Sequence, residues 1–332
     1  MEQRLWMILQ LFGGAALFLY SMDTLTDALQ QAAGDTLRQA LARLTAHPLA
    51  GVLTGAAVTA VVQSSSAVTV LVLGLVGAGL LTLQRAVPVV FGANIGTTVT
   101  AQLLAFRLED ARYLLLVAGL LLWFAGRGRL HAAGQALFAF GLLFEGIAVM
   151  AEAMEPLAAG PVFRQWMAQV RHRPGLGLLA GLGMTLAVQS SSATIAVLQQ
   201  AAARPGPDGG CLLGLAGAIP VLLGDNIGTT VTAVLASVGQ SRDAKRLAAA
   251  HALFNLSGAA MCWLLLPQFT ALVRLVSPHG PESAVLARQI ANAHTLFNLG
   301  CTVLWLPLTP CMVRIVCILL PEKHAPELKR TP

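Results

Sequence analysis

The run Gln63-Ser64-Ser65-Ser66-Ala67 returns as Gln189-Ser190-Ser191-Ser192-Ala193, each copy embedded in a long apolar stretch. A second signature follows each copy in the same order. It reads Gly92-Ala93-Asn94-Ile95-Gly96-Thr97-Thr98-Val99-Thr100-Ala101, then Gly224-Asp225-Asn226-Ile227-Gly228-Thr229-Thr230-Val231-Thr232-Ala233. Uncharged polar clusters at membrane depth are expensive unless they line a cavity or hold a ligand. Two of them, duplicated within one chain, point to a binding site at a repeat interface, which is how secondary transporters are built.

Membrane depth itself follows from composition. Only 11% of the 332 residues are charged and 56% are hydrophobic, whereas soluble domains carry about 25% charged residues. The chain reads as a multi-pass protein of the cell membrane, with the lipid bilayer as its solvent. The net charge of +6 is no nucleic-acid footprint. Its basic residues sit in short clusters between apolar segments (Arg127 and Arg129, Arg171 and Arg173, Arg242 to Arg246), where they set orientation. Five cysteines without a C-x-x-C give no disulfide framework and no metal site; Cys262, Cys301, Cys311 and Cys317 act as small hydrophobes. Leu5 to Tyr20, behind Arg4, reads as an uncleaved first span, since no small-x-small cleavage site follows.

The duplication is wider than the motifs. Pro48, Gly51, Gly55, Thr59 and Gln63 recur as Pro174, Gly177, Gly181, Thr185 and Gln189 at one offset (189 − 63 = 126). Leu17 to Leu29 overlays Leu142 to Met154 at an offset of 125, and Asn94 recurs as Asn226 at 132. The extra residues form a turn-rich insertion, Arg204 to Gly210. Each copy predicts a full span (about 5–22 and 133–151), a charged amphipathic connector, then two interrupted elements. Pro48 to Val62 and Ala67 to Leu81 are too short to span alone and join across the first motif. The run from Ala86 is expected to break at the second signature before continuing to Phe106. The second copy repeats this over 175–201 and 211–238, with further helices near 111–125, 247–266, 288–306 and 309–320. The expected fold is an all-α polytopic transmembrane bundle of two inverted repeats with discontinuous, re-entrant helices. Its units are residues 1–130 and 131–246 as repeats, 247–320 as C-terminal helices and 321–332 as a polar tail.

The candidate site offers hydroxyls, carboxamides, backbone groups and one carboxylate, Asp225, with no Arg or Lys inside the motifs. Helix breaks expose half-helix N-termini, which favour anions, and serine hydroxyls rotate to suit a tetrahedral oxyanion. Carboxamides serve anion or cation, the opposite half-helix ends suit a hard monovalent cation, and glycines let the backbone unwind. An unpaired ion at the bilayer centre costs at least about 3 kcal/mol. A divalent anion without an arginine partner therefore calls for co-bound cations. Packing alone is the competing account of a Ser or Gly run in a membrane helix, and two duplicated signatures in one order argue against it.

These residues resemble the type II sodium-dependent phosphate cotransporter family, over roughly residues 5–310. The resemblance implies sodium-driven phosphate uptake by alternating access, with inorganic phosphate and sodium as transported partners and no resident cofactor. It implies contacts from Gln63, Ser64, Ser65, Ser66, Gln189, Ser190, Ser191 and Ser192, supported by Asn94, Thr97, Thr98, Asn226, Thr229 and Thr230. Two departures stand out. The chain stops at Pro332, so a C-terminal regulatory domain resembling PhoU is not expected. Asp225 stands where the first copy has Ala93, as a sodium ligand, a proton-coupling group or a cap on a broken helix.

Other residues carry weaker signals. His251 with Asn255, and His294 with Asn298, share one helix face at a spacing of four. They predict interhelical hydrogen bonds between two packed helices, with proton or substrate contact as the second reading. Glu145 is expected to end a helix or face a cavity, and Asp23 and Asp27 to begin the solvated connector. The alternatives to sodium–phosphate symport are another oxyanion, proton coupling through Asp225, a non-transporting sensor, and a serine enzyme using His251 or His294. No Gly-x-Ser-x-Gly is present, and two equivalent nucleophile runs are not what an enzyme needs, so the chain is not read as one.

Overall fold

The computed structural model describes residues 2–33, 47–106, 112–159, 161–205 and 210–322. The first charged connector, the centre of the inserted turn and most of the polar tail lie outside these residues. In lipid the backbone must satisfy its own polar groups, and an apolar chain without closed sheets does so as helices. Fourteen succeed one another among the described residues. They are α1 (Glu2–Ala33), α2 (Pro48–Val62), α3 (Ser65–Gly77), α4 (Leu83–Leu104), α5 (Arg112–Ala125), α6 (Arg129–Ala159) and α7 (Pro161–His172), then α8 (Pro174–Val188), α9 (Ser191–Ala202), α10 (Gly214–Ala236), α11 (Arg242–Leu264), α12 (Leu266–Leu275), α13 (Glu282–Trp305) and α14 (Thr309–Leu319).

Five are long and apolar enough to cross a membrane: α1 over Leu5–Leu25, α4, α6 over Arg129–Met150, α10 and α11. Helices α13 and α14, bent by 85° at their junction, make a sixth span when taken together. The protein is an all-α polytopic membrane bundle. Among the described residues the one β feature is an isolated bridge between Pro205 and Cys211.

Short helices carry the duplication. The pairs α2–α3 and α8–α9 have 15 and 13, then 15 and 12 residues, against the ~20 a span requires. Their neighbours α4 and α10 depart from expectation. Each runs unbroken through the second signature, over 22 and 23 residues. The polar side chains that were expected to interrupt the helix bond back to it instead. Asn94 Nδ2 donates to the Val90 carbonyl and Asn226 Nδ2 to that of Leu222; Thr98 and Thr230 donate to the carbonyls of Ile95 and Ile227.

The glycines of that signature serve contact rather than unwinding. A Cβ on Gly92 would lie 1.9 Å from the Val52 carbonyl oxygen, and one on Gly55 would lie 2.0 Å from that of Val89. In the second copy Gly224 faces Leu178 and Gly181 faces Val221, each at 1.9 Å. Gly51 and Gly55, Gly92 and Gly96, and their four counterparts are all spaced by four, the small-x-x-x-small pattern that lets membrane helices touch backbone to backbone. Gly51 meets Pro88, Gly55 meets Val89 and Ala93, and Gly96 meets Thr59. Numbers rise together, so α2 and α4 run parallel, as do α8 and α10. Helix α3 must then travel back to reach the start of α4, which makes α2–α3 a re-entrant hairpin.

The outer helices pack the other way. Gly14 of α1 abuts Met150 of α6 while Gly146 abuts Phe18, so these equivalent helices of the two copies are antiparallel. Helices α5 and α6 form an antiparallel hairpin, with Gly119 on Phe138 and Gly134 on Trp123. Glu145, expected at a helix end or cavity, instead pairs with Arg112 of α5 at 2.9 Å.

Replacing Gly92 or Gly224 with Ala is expected to lower stability by about 2 kcal/mol or more, because a backbone oxygen must yield. Gly74→Ala, whose Cβ would meet nothing within 4 Å, is expected to stay within about 0.5 kcal/mol. Thermal unfolding of the purified protein in detergent checks the contrast; equal losses in both sets refute the close-packing assignment.

Candidate functional site

Each short helix pair turns on one glutamine. Gln63 (φ 56°, ψ 16°) and Gln189 (φ 56°, ψ 22°) occupy the left-handed region, and no other non-glycine residue does so among those described. A side chain there is strained by about 1–3 kcal/mol and persists only when its surroundings enforce it. Here they do. The Gln63 amide N–H donates to the Thr59 carbonyl at 2.7 Å, its side-chain Nε2 donates to the Ala60 carbonyl, and its Oε1 accepts from Thr100 Oγ1 at 2.6 Å. Gln189 repeats the set: its N–H reaches Thr185 at 2.8 Å, Nε2 the Leu186 carbonyl at 2.8 Å, and Oε1 accepts from Thr232 at 3.1 Å. The carboxamides expected to face a ligand thus hold the two breaks onto α4 and α10.

The next residue starts a helix. Ser64 and Ser190 are extended and cap α3 and α9, their hydroxyls accepting from Ala67 N at 3.2 Å and Ala193 N at 3.3 Å. The hydroxyls of Ser65, Ser66, Ser191 and Ser192 have no hydrogen-bond partner among the described residues. Both serine runs line one cavity of about 370 Å³, far more than the roughly 15 Å³ a single water-sized ligand requires. Gln63, Gln189 and Thr97 complete its polar wall, and Leu19, Met22 and Asp23 of α1 close it with Val62 and Ala67. Two half-helix N-termini therefore meet at one space. Each presents amides without helical acceptors and a positive dipole end, a setting for an oxyanion.

The other predicted residues stand behind this wall. Asn94, Thr98, Asp225, Asn226, Thr229 and Thr230 are buried but do not line the cavity. Two of them, Asn94 and Asn226, are met by histidines. His251 of α11 meets Asn94 Oδ1 at 3.2 Å, and His294 of α13 meets Asn226 Oδ1 at 3.2 Å. Each Asn already donates through Nδ2, so its oxygen takes the proton of His Nε2, which fixes the tautomer. Each histidine makes an interhelical hydrogen bond, as the first of its two readings expected, and its partner is a motif asparagine on α4 or α10.

Asp225 is fully buried. Its Oδ1 accepts from Thr185 Oγ1 at 2.6 Å, and Thr185 also contacts Thr194 Oγ1 at 3.1 Å. Oδ2 has no partner. With α10 unbroken, Asp225 caps nothing, and that expectation falls. In the first copy the equivalent trio is Thr59, Ala93 and Val68, and Thr59 Oγ1 is left without a partner.

Sequence reasoning found α1 as a span but missed its part in the site. Asp23 was expected in a solvated connector, yet α1 continues ten residues past it to Ala33 and carries it to the cavity. The available signal was the overlay of Leu17–Leu29 on Leu142–Met154, which places Asp23 within a duplicated span rather than after it.

Thr185→Val removes the one bond to a buried carboxylate and is expected to cost about 1–3 kcal/mol. Thr59→Val removes an oxygen that bonds nothing and is expected to be neutral or stabilising. Unfolding temperatures of the two variants test the difference, and equal losses would sink it.

A model described as Na+/Pi-cotransporter matches residues 17–152 and 145–277. YqeW of Bacillus subtilis is 34% identical over 306 residues, covering 92% of this chain and 96% of that protein. YjbB of Escherichia coli, named for inorganic phosphate export, is 28% identical over 254 residues, covering 76% of this chain and 46% of its own length. Sodium-dependent phosphate transport protein 2B of Homo sapiens is 37% identical over 100 residues, which are 30% of this chain and 14% of that protein. The chain thus spans about half the length of YjbB and nearly all of YqeW. No solved structure matches it.

Proposed function

We propose that this chain, which belongs to the Na+/Pi-cotransporter family, carries inorganic phosphate across the cell membrane together with sodium by alternating access. One observation supports this above the rest: the start of α3 and the start of α9, one from each copy, open onto a single cavity. Phosphate is held between the two dipole ends and the hydroxyls of Ser65, Ser66, Ser191 and Ser192. Ser64, Ser190, Gln63 and Gln189 shape those ends, and Thr97 adds a wall hydroxyl. Asn94 and Asn226 tie α4 and α10 to α11 and α13 through the histidines, and Thr98, Thr229 and Thr230 lie in the same buried layer, bonded back to their own helices. Asp225, with an unpartnered carboxylate oxygen, is the cation ligand of that layer. No charged donor lines the cavity, so sodium supplies the countercharge that a membrane-depth anion requires.

Antiparallel α1 and α6 support an inverted arrangement of the copies. So does an asymmetry of the cavities. Leu19, Met22 and Asp23 line the serine cavity, whereas their counterparts Phe144, Ile147 and Ala148 line a separate cavity of about 180 Å³ with Gln199 and Gln200. Equivalent faces in unequal surroundings are what one state of an exchanging pair looks like. No enzymatic step is assigned, because the family is one of transporters and neither His251 nor His294 lines the serine cavity. Under an inward sodium gradient, coupled movement is import. The likeness to YjbB, named for phosphate export, makes outward movement the second reading.

Proteoliposomes loaded in either direction decide it. Radiolabelled phosphate is expected to accumulate with an imposed sodium gradient and not with potassium, following the sign of that gradient. Ser65→Ala and Ser191→Ala are each expected to reduce uptake at low phosphate about tenfold, the loss of one hydrogen bond to a charged ligand. Uptake indifferent to sodium, or unchanged kinetics in both variants, would overturn the reading.

A further inference from the structure

We propose that Asp23 is the cation-recruiting residue of the transport cavity, the carboxylate that a monovalent cation meets before phosphate binds. This rests on the reading of the serine cavity as the phosphate and sodium site. Asp23 is the one charged residue among those lining the cavity. It is exposed rather than paired into the core, on the same face of α1 as Leu19, one turn before it, and beside Met22. The position is not a connector, because the uninterrupted α1 carries the carboxylate within the segment Leu5–Leu25 that is apolar enough to span.

A carboxylate opening onto a space meant for an oxyanion is a contradiction unless a cation comes first. Alone, it repels phosphate, and a dianion twice as strongly as a monoanion. With a cation beside it, the same charge is neutralised and the two helix N-termini are free to act. Asp23 therefore imposes an order, cation then anion, and keeps phosphate from occupying the cavity uncoupled. The duplication isolates the effect. At the equivalent position of α6 stands Ala148, which lines the smaller cavity, so this charge belongs to one copy only. Asp225 is likewise unmatched, by Ala93, but in the other copy and buried behind the wall. The two carboxylates are thus distinct in place and access: Asp23 meets the cation in the open cavity, and Asp225 lies beyond it.

The experiment compares wild type, Asp23→Asn and Asp23→Glu in the same proteoliposomes, measuring initial phosphate uptake against sodium concentration at saturating phosphate. Asp23→Asn is expected to raise the half-saturating sodium concentration about tenfold with little change in maximal rate, and Asp23→Glu to restore most of it. Thermal unfolding in detergent, with sodium or choline and no phosphate, reads cation binding without transport. Wild type is expected to be stabilised by sodium and Asp23→Asn to lose most of that shift. A normal sodium dependence and a normal sodium shift in Asp23→Asn would overturn the proposal. A wild type that moves no phosphate with sodium, yet shows an Asp23-dependent sodium shift, would instead overturn the transport reading and keep the cation site. Should Asp23→Asn not fold, Asp23→Ser takes its place with the same two readouts and the same expected losses, and a normal sodium half-saturation with a normal sodium shift there would overturn the proposal.

Discussion

A single backbone conformation organises the molecule. Glutamine in the left-handed region stops α2 and α8 part-way through the bilayer, and it does so at a strain that only specific bonds can hold. Those bonds come from Thr100 and Thr232, on the long helices that each short pair lies against. The consequence is geometric. A helix that ends and restarts within two residues offers a fresh N-terminus at depth, where the next residues, all serines, cap it and face the cavity. Without the Gln–Thr clamp the chain from Pro48 to Gly77 would have no reason to turn there. The amides that now open onto the cavity would be spent on helical carbonyls.

The clamp in turn depends on closeness. Threonine hydroxyls of α4 and α10 reach the glutamines because glycines bring α2 against α4 and α8 against α10 at backbone contact. Membrane helices gain little from hiding apolar surface, since lipid is equally apolar, so packing and buried polar bonds must supply specificity. The His251–Asn94 and His294–Asn226 bonds extend the same logic outward to α11 and α13. A layered polar structure results, running from outer helix to long helix to broken helix to cavity.

Much of this was legible in the residues and some was not, for identifiable reasons. The breaks at Gln63 and Gln189 were readable, because apolar runs of about 15 residues flank a polar motif twice over. The supposed breaks in α4 and α10 were misread. Gly, Asn and Thr in one signature fit an unwound helix and a tightly packed helix equally well, and the difference lies in what faces them. Gly92 opposite the Val52 carbonyl is a tertiary fact. The histidines were correctly read as interhelical donors, but their partners lie 157 and 68 residues away in sequence, and no periodicity reveals such a pairing. Asp23 was lost because a charge near the end of an apolar run looks like the start of solvent.

The departures from symmetry matter as much as the duplication. A perfectly two-fold cage would treat its two halves alike, and nothing in it could tie an ion to one route. Here every hydroxyl of the serine runs is matched, as are the glutamine clamps and the His–Asn bonds, while the carboxylates are not. Asp225 accepts from Thr185, whereas its counterpart is Ala93 and Thr59 is left without a partner, and Asp23 lines the serine cavity where Ala148 lines another. Anion binding by dipoles and hydroxyls can be shared equally between copies, because neither group carries a full charge. A cation needs a definite negative partner, and a single carboxylate can belong to only one half. On the proposed reading, the matched residues build a place for the oxyanion, and the unmatched ones decide on which side of it positive charge collects.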